Sequence, residues 1–145
     1  MPITERMNSS DSVRQWAGVI ALQYEYTAGV AGQRFLAGLR DGKILGGRCD
    51  RCDVNFLPPK IFCVRCFERV DRFVKVPAVG RVAARSGGGG AGIRFAFVKF
   101  EGVEGGLTHR VVGSAPRVGA PVRVRFKPKS QRKGSILDIQ GFEPV

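Results

Sequence analysis

The chain has one histidine, His109, in 145 residues. That scarcity excludes several machineries at once. No H-E-x-x-H helix is present for a zinc protease, and no G-x-S-x-G elbow for a serine hydrolase. A lone histidine on a strand is a packed or surface residue more often than a base. Acidic residues are also few, 12 against 24 Lys and Arg, and so scattered that no general acid-base pair can be named. No window approaches the roughly 20 apolar residues of a membrane span. The start lacks the basic, apolar and small-residue succession of a secretory signal. The expectation is a cytoplasmic protein with no membrane partner, one that binds or assists rather than catalyses alone.

At 145 residues the chain is one ordinary domain, or two very small ones sharing a core. A module near residues 45–75 would be too short to hold together by burial alone, so a cross-link or metal is expected there. Every cysteine lies in that stretch, CDRCDVNFLPPKIFCVRC, as C-x2-C-x10-C-x2-C: Cys49, Cys52, Cys63 and Cys66. In a reducing compartment such spacing points to metal or redox chemistry before disulfides. A thioredoxin-type dithiol needs a βαβ setting, which neither pair has. Four thiolates in a tetrahedron satisfy zinc completely and leave no open position for substrate. The expected centre is a zinc ribbon with one structural Zn2+ per chain held by these four residues, contributing on the order of 10 kcal/mol to folding of the segment. Arg48, Arg51, Lys60, Arg65 and Arg69 are expected to offset the negative charge of the site.

Residues 1–15 are polar and read as a flexible or partner-ordered lead. Trp16–Tyr26, WAGVIALQYEY, is too rich in large apolar groups to dangle in water, so it packs on its own domain or on another protein. Thr27 is the expected N-cap of a helix over Ala28–Arg40, with Ala31, Phe35 and Leu39 as an apolar stripe and Asp41-Gly42 as the stop. Gly29, Gly32 and Gly38 weaken this helix, which then depends on what the stripe packs against. Trp16, Tyr24, Tyr26 and Phe35 are the candidate partner-facing residues; the alternative for the stripe is the protein's own core.

Short strand-like segments follow at 73–76, 80–85, 93–100, 106–112, 121–127 and 135–139, most separated by glycine or proline breaks. Such strands suggest a small closed or partly closed barrel, most commonly an OB-fold, with a sandwich as the alternative. In PVRVRFKPK, Val122, Val124 and Phe126 alternate with Arg123, Arg125 and Lys127, which puts a basic stripe opposite the core. In IRFAFVKF, Ile93, Phe95 and Phe97 oppose Ala96, Val98 and Phe100, which implies burial on both faces under the helix, a flat ligand ring or a partner. The Gly87–Gly90 run lacks the Gly-Lys-Ser/Thr and strand-to-helix context of a phosphate loop and reads as a hairpin loop. Residues 81–145 hold twelve Lys or Arg and four Asp or Glu. That half should attract an anion, whether nucleic acid, an acidic protein or a phosphorylated small molecule, unless it is only a solubilising surface.

The order of parts resembles a known family. Tyr26-Thr27-Ala28-Gly29 forms the entry and Arg34-Phe35 lies in the helix; a ribbon follows with Pro58-Pro59 between its knuckles, then an OB-like barrel. This resembles the acyl-CoA-associated zinc-ribbon/OB-fold family. Cys66-Phe67 followed by Val70-Asp71, FVKFEGVEGGLTHRVVG, and GAPVRVRF followed by GSILDIQGFEP are similar to its thiolase-associated branch, and the resemblance covers about residues 26–145. It implies a mainly β fold with an N-terminal helix, a rubredoxin-like zinc ribbon and a small OB-fold barrel. It further implies a non-catalytic small subunit of a thiolase-superfamily enzyme, a group that includes acetyl-CoA acetyltransferases and hydroxymethylglutaryl-CoA synthase; related copies partner hydratases or aldolases acting on steroid side-chain CoA thioesters.

The catalytic cysteine and histidines would then belong to the partner, in thiolytic cleavage or condensation of a 3-oxoacyl-CoA. This chain would support assembly and help receive the coenzyme A thioester, whose phosphates Arg123, Arg125 and Lys127 could meet. In size the chain is similar to the zinc-finger subunit of the thiolase that cleaves benzoylsuccinyl-CoA in anaerobic toluene breakdown, but no residue specifies the acyl group. It departs from the family at Asp53, where glycine often follows the second cysteine, and at Gly87–Gly90, which replaces a more ordinary hairpin.

The expected organisation is an extended, partner-ordered segment over 1–26, a helix over 27–44, the ribbon over 45–75 and the barrel over 76–145. The competing reading is a nucleic-acid module, with Phe95, Phe97 or Phe100 stacking bases beside the cationic strand. It ranks second because the aromatics are not interleaved with basic residues.

Overall fold

The expected helix forms slightly late. In the computed structural model, which describes residues 18, 22–23, 25–86 and 94–145, α1 runs over Gly29–Arg40, with Ala28 rather than Thr27 at its N-cap and no side-chain cap. Trp16, Tyr24, Ile93 and the Gly87–Gly90 run lie outside the described residues. Ala31, Phe35 and Leu39 are buried, and Phe35 and Leu39 belong to the main core of this chain. The stripe therefore packs inward. A Cβ at Gly38 would come within 2.8 Å of the Leu45 side chain, so glycine there permits the close approach that a helix this weak in propensity needs. Gly42, at φ 73°, ends the helix as expected.

The next strands build the ribbon. β1 (Ile44–Cys49) lies between β2 (Val54–Leu57) and β3 (Arg72–Val76), antiparallel to both. On its other side β2 pairs in parallel with the two-residue β6 (Glu104–Gly105), which comes from the loop of the following module. The Gly106 N–H donates to the Leu57 carbonyl at 3.0 Å and the Asn55 side-chain amide donates to the Gly102 carbonyl at 2.9 Å. A Cβ on Gly105, whose φ is 85°, would collide with the Leu57 carbonyl oxygen. This turn fastens ribbon to barrel.

The barrel contains β4 (Val79–Ser86), β5 (Phe95–Phe100), β7 (Leu107–Arg110), β8 (Pro121–Phe126) and β9 (Ile139–Pro144), in the order β7-β5-β4-β8-β9. Its two ends meet in a parallel bridge between Val111 and Phe142, with the Val112 N–H donating to the Phe142 carbonyl at 2.8 Å. A five-stranded antiparallel sheet closed by one parallel contact has OB-fold topology. Val82, Val98, Val122, Ile139 and Phe142 fill the interior, and the core continues through Ile44, Leu57 and Val76 to the helix. Among the described residues no helix is long and apolar enough to cross a membrane.

Two expectations about the barrel fail. The segment 135–139 is not a strand: Ile136–Asp138 is a 3-10 turn, and the last strand begins at Ile139. The turn wins because Ser135 accepts from the Leu137 N–H while the Asp138 carboxylate accepts from the N–H groups of Lys133, Gly134 and Ser135. Nor is β5 buried on both faces. Ala96, Val98 and Phe100 are buried, Phe97 is half-buried, and Phe95 and Lys99 are exposed, because a small barrel has a single inside.

Asp138 is buried, which pushes its carboxyl up, but the N–H groups of Lys133, Ser135 and Gly134 and the charge of Lys127 outweigh this and hold it below the ordinary carboxylate range. A depressed carboxyl stabilises the fold fully above its unfolded pKa, and the contribution is lost as pH falls through the folded value. Asp138→Asn should therefore lower the urea midpoint at pH 7, and its deficit relative to wild type should close as pH is lowered below the carboxylate range. A deficit independent of pH would show that the charge is not what holds the turn.

Candidate metal centre

β1 ends on Cys49 and β2 begins at Val54, so the first C-x2-C is the tight turn of this hairpin. The second lies on a short hairpin closed by the Phe62–Arg69 bridge, by the Cys63 N–H to Glu68 carbonyl bond (2.9 Å) and by the Phe67 N–H to Cys63 carbonyl bond (3.0 Å). All four cysteine sulfurs lie within 4.8 Å of one another, and Cys49 and Cys66 are 3.6 Å apart. Sulfurs at the corners of a zinc tetrahedron stand about 3.8 Å apart, given Zn–S bonds of about 2.3 Å. The donor set fits one tetrahedral ion and closes it.

Amide groups prepare the thiols unequally. The Cys66 and Arg65 N–H groups lower the Cys63 thiol to about 7, the Arg65 N–H lying 3.4 Å from its sulfur. Cys52 is pushed up to about 12 by the Cys66 sulfur and by burial. At Cys49 the Cys52 N–H acts to lower the pKa, but burial and the sulfurs of Cys63 and Cys66 raise it overall. Four sulfurs this close cannot all be thiolates without a cation between them, and a divalent metal supplies that charge.

The basic neighbours do not supply it. Arg48 pairs with Asp50 at 3.1 Å and with Asp53; Arg51 pairs with Glu68 at 3.4 Å, Arg65 with Glu104 and Arg69 with Asp71 at 2.9 Å. Their charge goes to carboxylates around the knuckles. The ribbon's own buried cluster is Cys49, Val54, Phe56, Cys63 and Val70, with Cys52 and Cys66 packed against it, while Leu57 joins the main core. More than half of this small core consists of the ligands themselves, which supports a structural zinc.

The other predicted residues sit elsewhere. Phe35 is buried in the protein's own core, and Tyr26 is 85 % exposed. On β8, Val122 and Val124 face inward and Arg123 and Arg125 outward, but the strand ends at Phe126, and Lys127 lies half-buried beyond it with its N–H donating to the Asp138 carbonyl at 2.8 Å, so it does not continue the stripe. Arg125 bonds Glu143 at 3.3 Å. Sequence reasoning missed Arg81 and Lys99, which the β4–β5 register sets directly opposite each other. They line an open groove of about 620 Å³ with Val79, Ala83, Glu101 and Pro121. The alternation Gly80-Arg81-Val82 hinted at the first, but pairing it with Lys99 needs the register.

His109 is buried on β7, edge-on to Phe142 at 6.3 Å, and its Nδ1 has no hydrogen-bond partner. Burial lowers its pKa, outweighing the Ile136 carbonyl. It is packed in the barrel, away from the cysteines.

Purified protein should carry a single zinc per chain by elemental analysis, and Cys63→Ser should abolish stoichiometric zinc and sharply reduce amide-exchange protection over residues 45–75. Retention of the protection without metal would refute a structural role.

No curated protein matches the chain. Residues 36–71 match the ChsH2 rubredoxin-like zinc ribbon domain. A Sulfolobus solfataricus protein of unknown function from the DUF35 family, solved as a crystal structure, aligns over 84 % of this chain and 90 % of its own at 26 % identity, with a TM-score of 0.65. A chain of the Ltp2-ChsH2(DUF35) aldolase aligns over 77 % of this chain and 91 % of its own at 20 % identity, with a TM-score of 0.56, and shares the fold. The ribbon match and the shared architecture together fit the zinc-ribbon/OB-fold family that the sequence resembles.

Proposed function

We propose that the chain is a non-catalytic subunit of a thiolase-type acyl-CoA complex, in which zinc held by Cys49, Cys52, Cys63 and Cys66 fixes the ribbon and the barrel helps receive a CoA thioester. The observation that carries this reading is the closed thiol set: the one cluster of metal-ligating side chains among the described residues has the geometry of a staple, which leaves no open ligand position for chemistry. With His109 buried and Asp138 committed to its turn, the reacting groups of a thiolytic cleavage or condensation would come from another subunit. The occurrence of a fold relative within the Ltp2-ChsH2(DUF35) aldolase supports association with an enzyme partner. The cations of the barrel, Arg81, Lys99 and Arg123, offer the CoA phosphates charge-assisted bonds.

A second reading, a single-stranded nucleic-acid module, draws on one observation. Phe95 is 45 % exposed on the outer barrel face, directly opposite Arg110 in the β5–β7 register. An exposed aromatic beside a cation can stack a base.

A tagged chain isolated from its native cells at moderate salt should bring down a thiolase-type protein in stoichiometric amount with little nucleic-acid absorbance. Salt-labile nucleic acid without a protein partner would establish the second reading instead. In the isolated complex, reversing charge at Arg81 and Arg123 should weaken CoA-thioester affinity by about tenfold or more; unchanged affinity would remove the barrel face from CoA binding.

A further inference from the structure

The barrel closes through a narrow seam. Its five strands pair antiparallel with their neighbours, whereas the chain leaving β7 meets β9 through one parallel bridge, Val111 to Phe142, and the Val112 N–H to Phe142 carbonyl bond. Beside it the Arg110 guanidinium donates to the Gln140 carbonyl at 2.5 Å. Gly141 permits the approach, since a Cβ there would lie 2.7 Å from the Arg110 carbonyl oxygen. Backbone pairing this short leaves much of the closure to the side chains packed beneath it.

His109 is one of them. It stands on the inward side of β7, opposite Ala96 of β5. Its ring lies edge-on to Phe142, the residue that makes both backbone contacts of the seam. It is 8 % exposed, and its Nδ1 is the one buried side-chain nitrogen or oxygen among the described residues that has no hydrogen-bond partner. A neutral ring leaves this nitrogen an empty acceptor, a cost the fold tolerates. A protonated ring makes it a buried N–H donor without an acceptor and adds a buried charge, which costs far more. The surroundings offer that charge no free counter-ion. The next residue on β7 is Arg110, of the same sign, while β5 and β9 present Ala96 and Phe142. In the 133–138 turn, Asp138 directs its carboxylate to the N–H groups of Lys133, Gly134 and Ser135, near the charge of Lys127. Burial accordingly holds the imidazole below its ordinary value, against the pull of the Ile136 carbonyl.

We propose that His109 is a proton-operated latch on the barrel: charging its ring withdraws the imidazole from beside Phe142 and parts residues 110–112 from β9, while the antiparallel pairs of the barrel stay formed. A closed barrel hides its strand edges, and parting the seam frees the edges of β7 and β9 for pairing with another chain. Mild acid would thus convert a closed body into one with edges to offer. The latch would operate whether or not the chain is a thiolase-type subunit.

Amide exchange on the zinc-loaded chain, corrected for the intrinsic pH dependence of exchange, tests this. The Val112 N–H reports the seam, and the N–H groups of Val82 and Val124, bonded to the Ala120 and Ala78 carbonyls, report the rest of the barrel. The open form carries an ordinary imidazole with a pKa of about 6.5, so the opening equilibrium should rise about tenfold from about pH 7.5 to about pH 5.5. Val112 protection should fall by that factor while Val82 and Val124 keep theirs. His109→Phe retains a ring without the proton site and should make Val112 protection independent of pH over this range. His109→Leu, smaller and equally apolar, should do the same. Asp138 stays charged throughout the range, so Asp138→Asn should retain the wild-type response. Val112 protection that does not change with pH in wild type overturns the latch, and so does a wild-type response in both His109 variants. Parallel loss at Val82 and Val124 would mean that acid unfolds the barrel as a whole, which overturns it as well.

Discussion

Convergence of the four cysteine sulfurs within 4.8 Å is the constraint on which the first half of this molecule rests. The ribbon has three short strands and a small buried cluster in which the ligands outnumber the purely apolar side chains. Apolar burial of that extent cannot offset the backbone entropy of ordering some thirty residues. A closed metal site can, because its binding energy becomes folding energy. The consequence extends beyond the ribbon. β1 carries Cys49 at one end and packs α1 through Leu45 near the other, while β2 accepts the barrel loop at Leu57. Helix, ribbon and barrel are thus tied to the two strands that the first knuckle joins.

The barrel solves a different problem. Its five strands enclose a core of small aliphatics and two phenylalanines, Phe100 and Phe142, which leaves one buried face per strand. Everything outward must be tolerable in water or be covered. The outer face of β4, β5 and β8 meets this with Arg81, Lys99 and Arg123, and the β4–β5 register sets Arg81 against Lys99. Like charges directly opposite each other destabilise a sheet modestly, so the arrangement is better suited to an anion than to the fold itself. The Phe126 ring, by contrast, turns to the Arg132 guanidinium, 5.5 Å from its centroid, and so helps the 127–138 loop return to the barrel.

Much of this was legible in the residues alone. The spacing of the cysteines gave the knuckles, the i, i+4 stripe Ala31, Phe35 and Leu39 gave the buried helix face, and the alternation in PVRVRF gave the inner and outer sides of β8. The misses share a cause. Ser135–Asp138 has the apolar content of a strand, yet a serine three residues ahead of an acid is also a capping signature, and local side-chain bonds to the backbone prevailed over β propensity. In FAFVKF the run of apolar letters masked a strict alternation, because an exposed Phe95 has the same letter as a buried Phe100. The end of β8 ahead of Lys127, the pairing of Arg81 with Lys99, and the outward Phe67 depend on strand ends, register and a backbone angle, which a one-dimensional pattern does not specify.

What the fold does with its reactive groups narrows its chemistry further. The thiols face one another, the imidazole is packed against Phe142, and the one buried carboxylate among the described residues, Asp138, caps a turn. These cysteines, His109 and Asp138 are committed to structure, and burial of His109 disfavours its charged form. The outside is organised the other way round. Among the described residues Arg81, Lys99 and Arg123 make no ion pair, while Phe62, Val64 and Phe67 are exposed on the second knuckle, Phe67 in the left-handed backbone region. The proposed subunit role would account for this exposure, since a partner would cover the apolar groups and an anion would meet the cations.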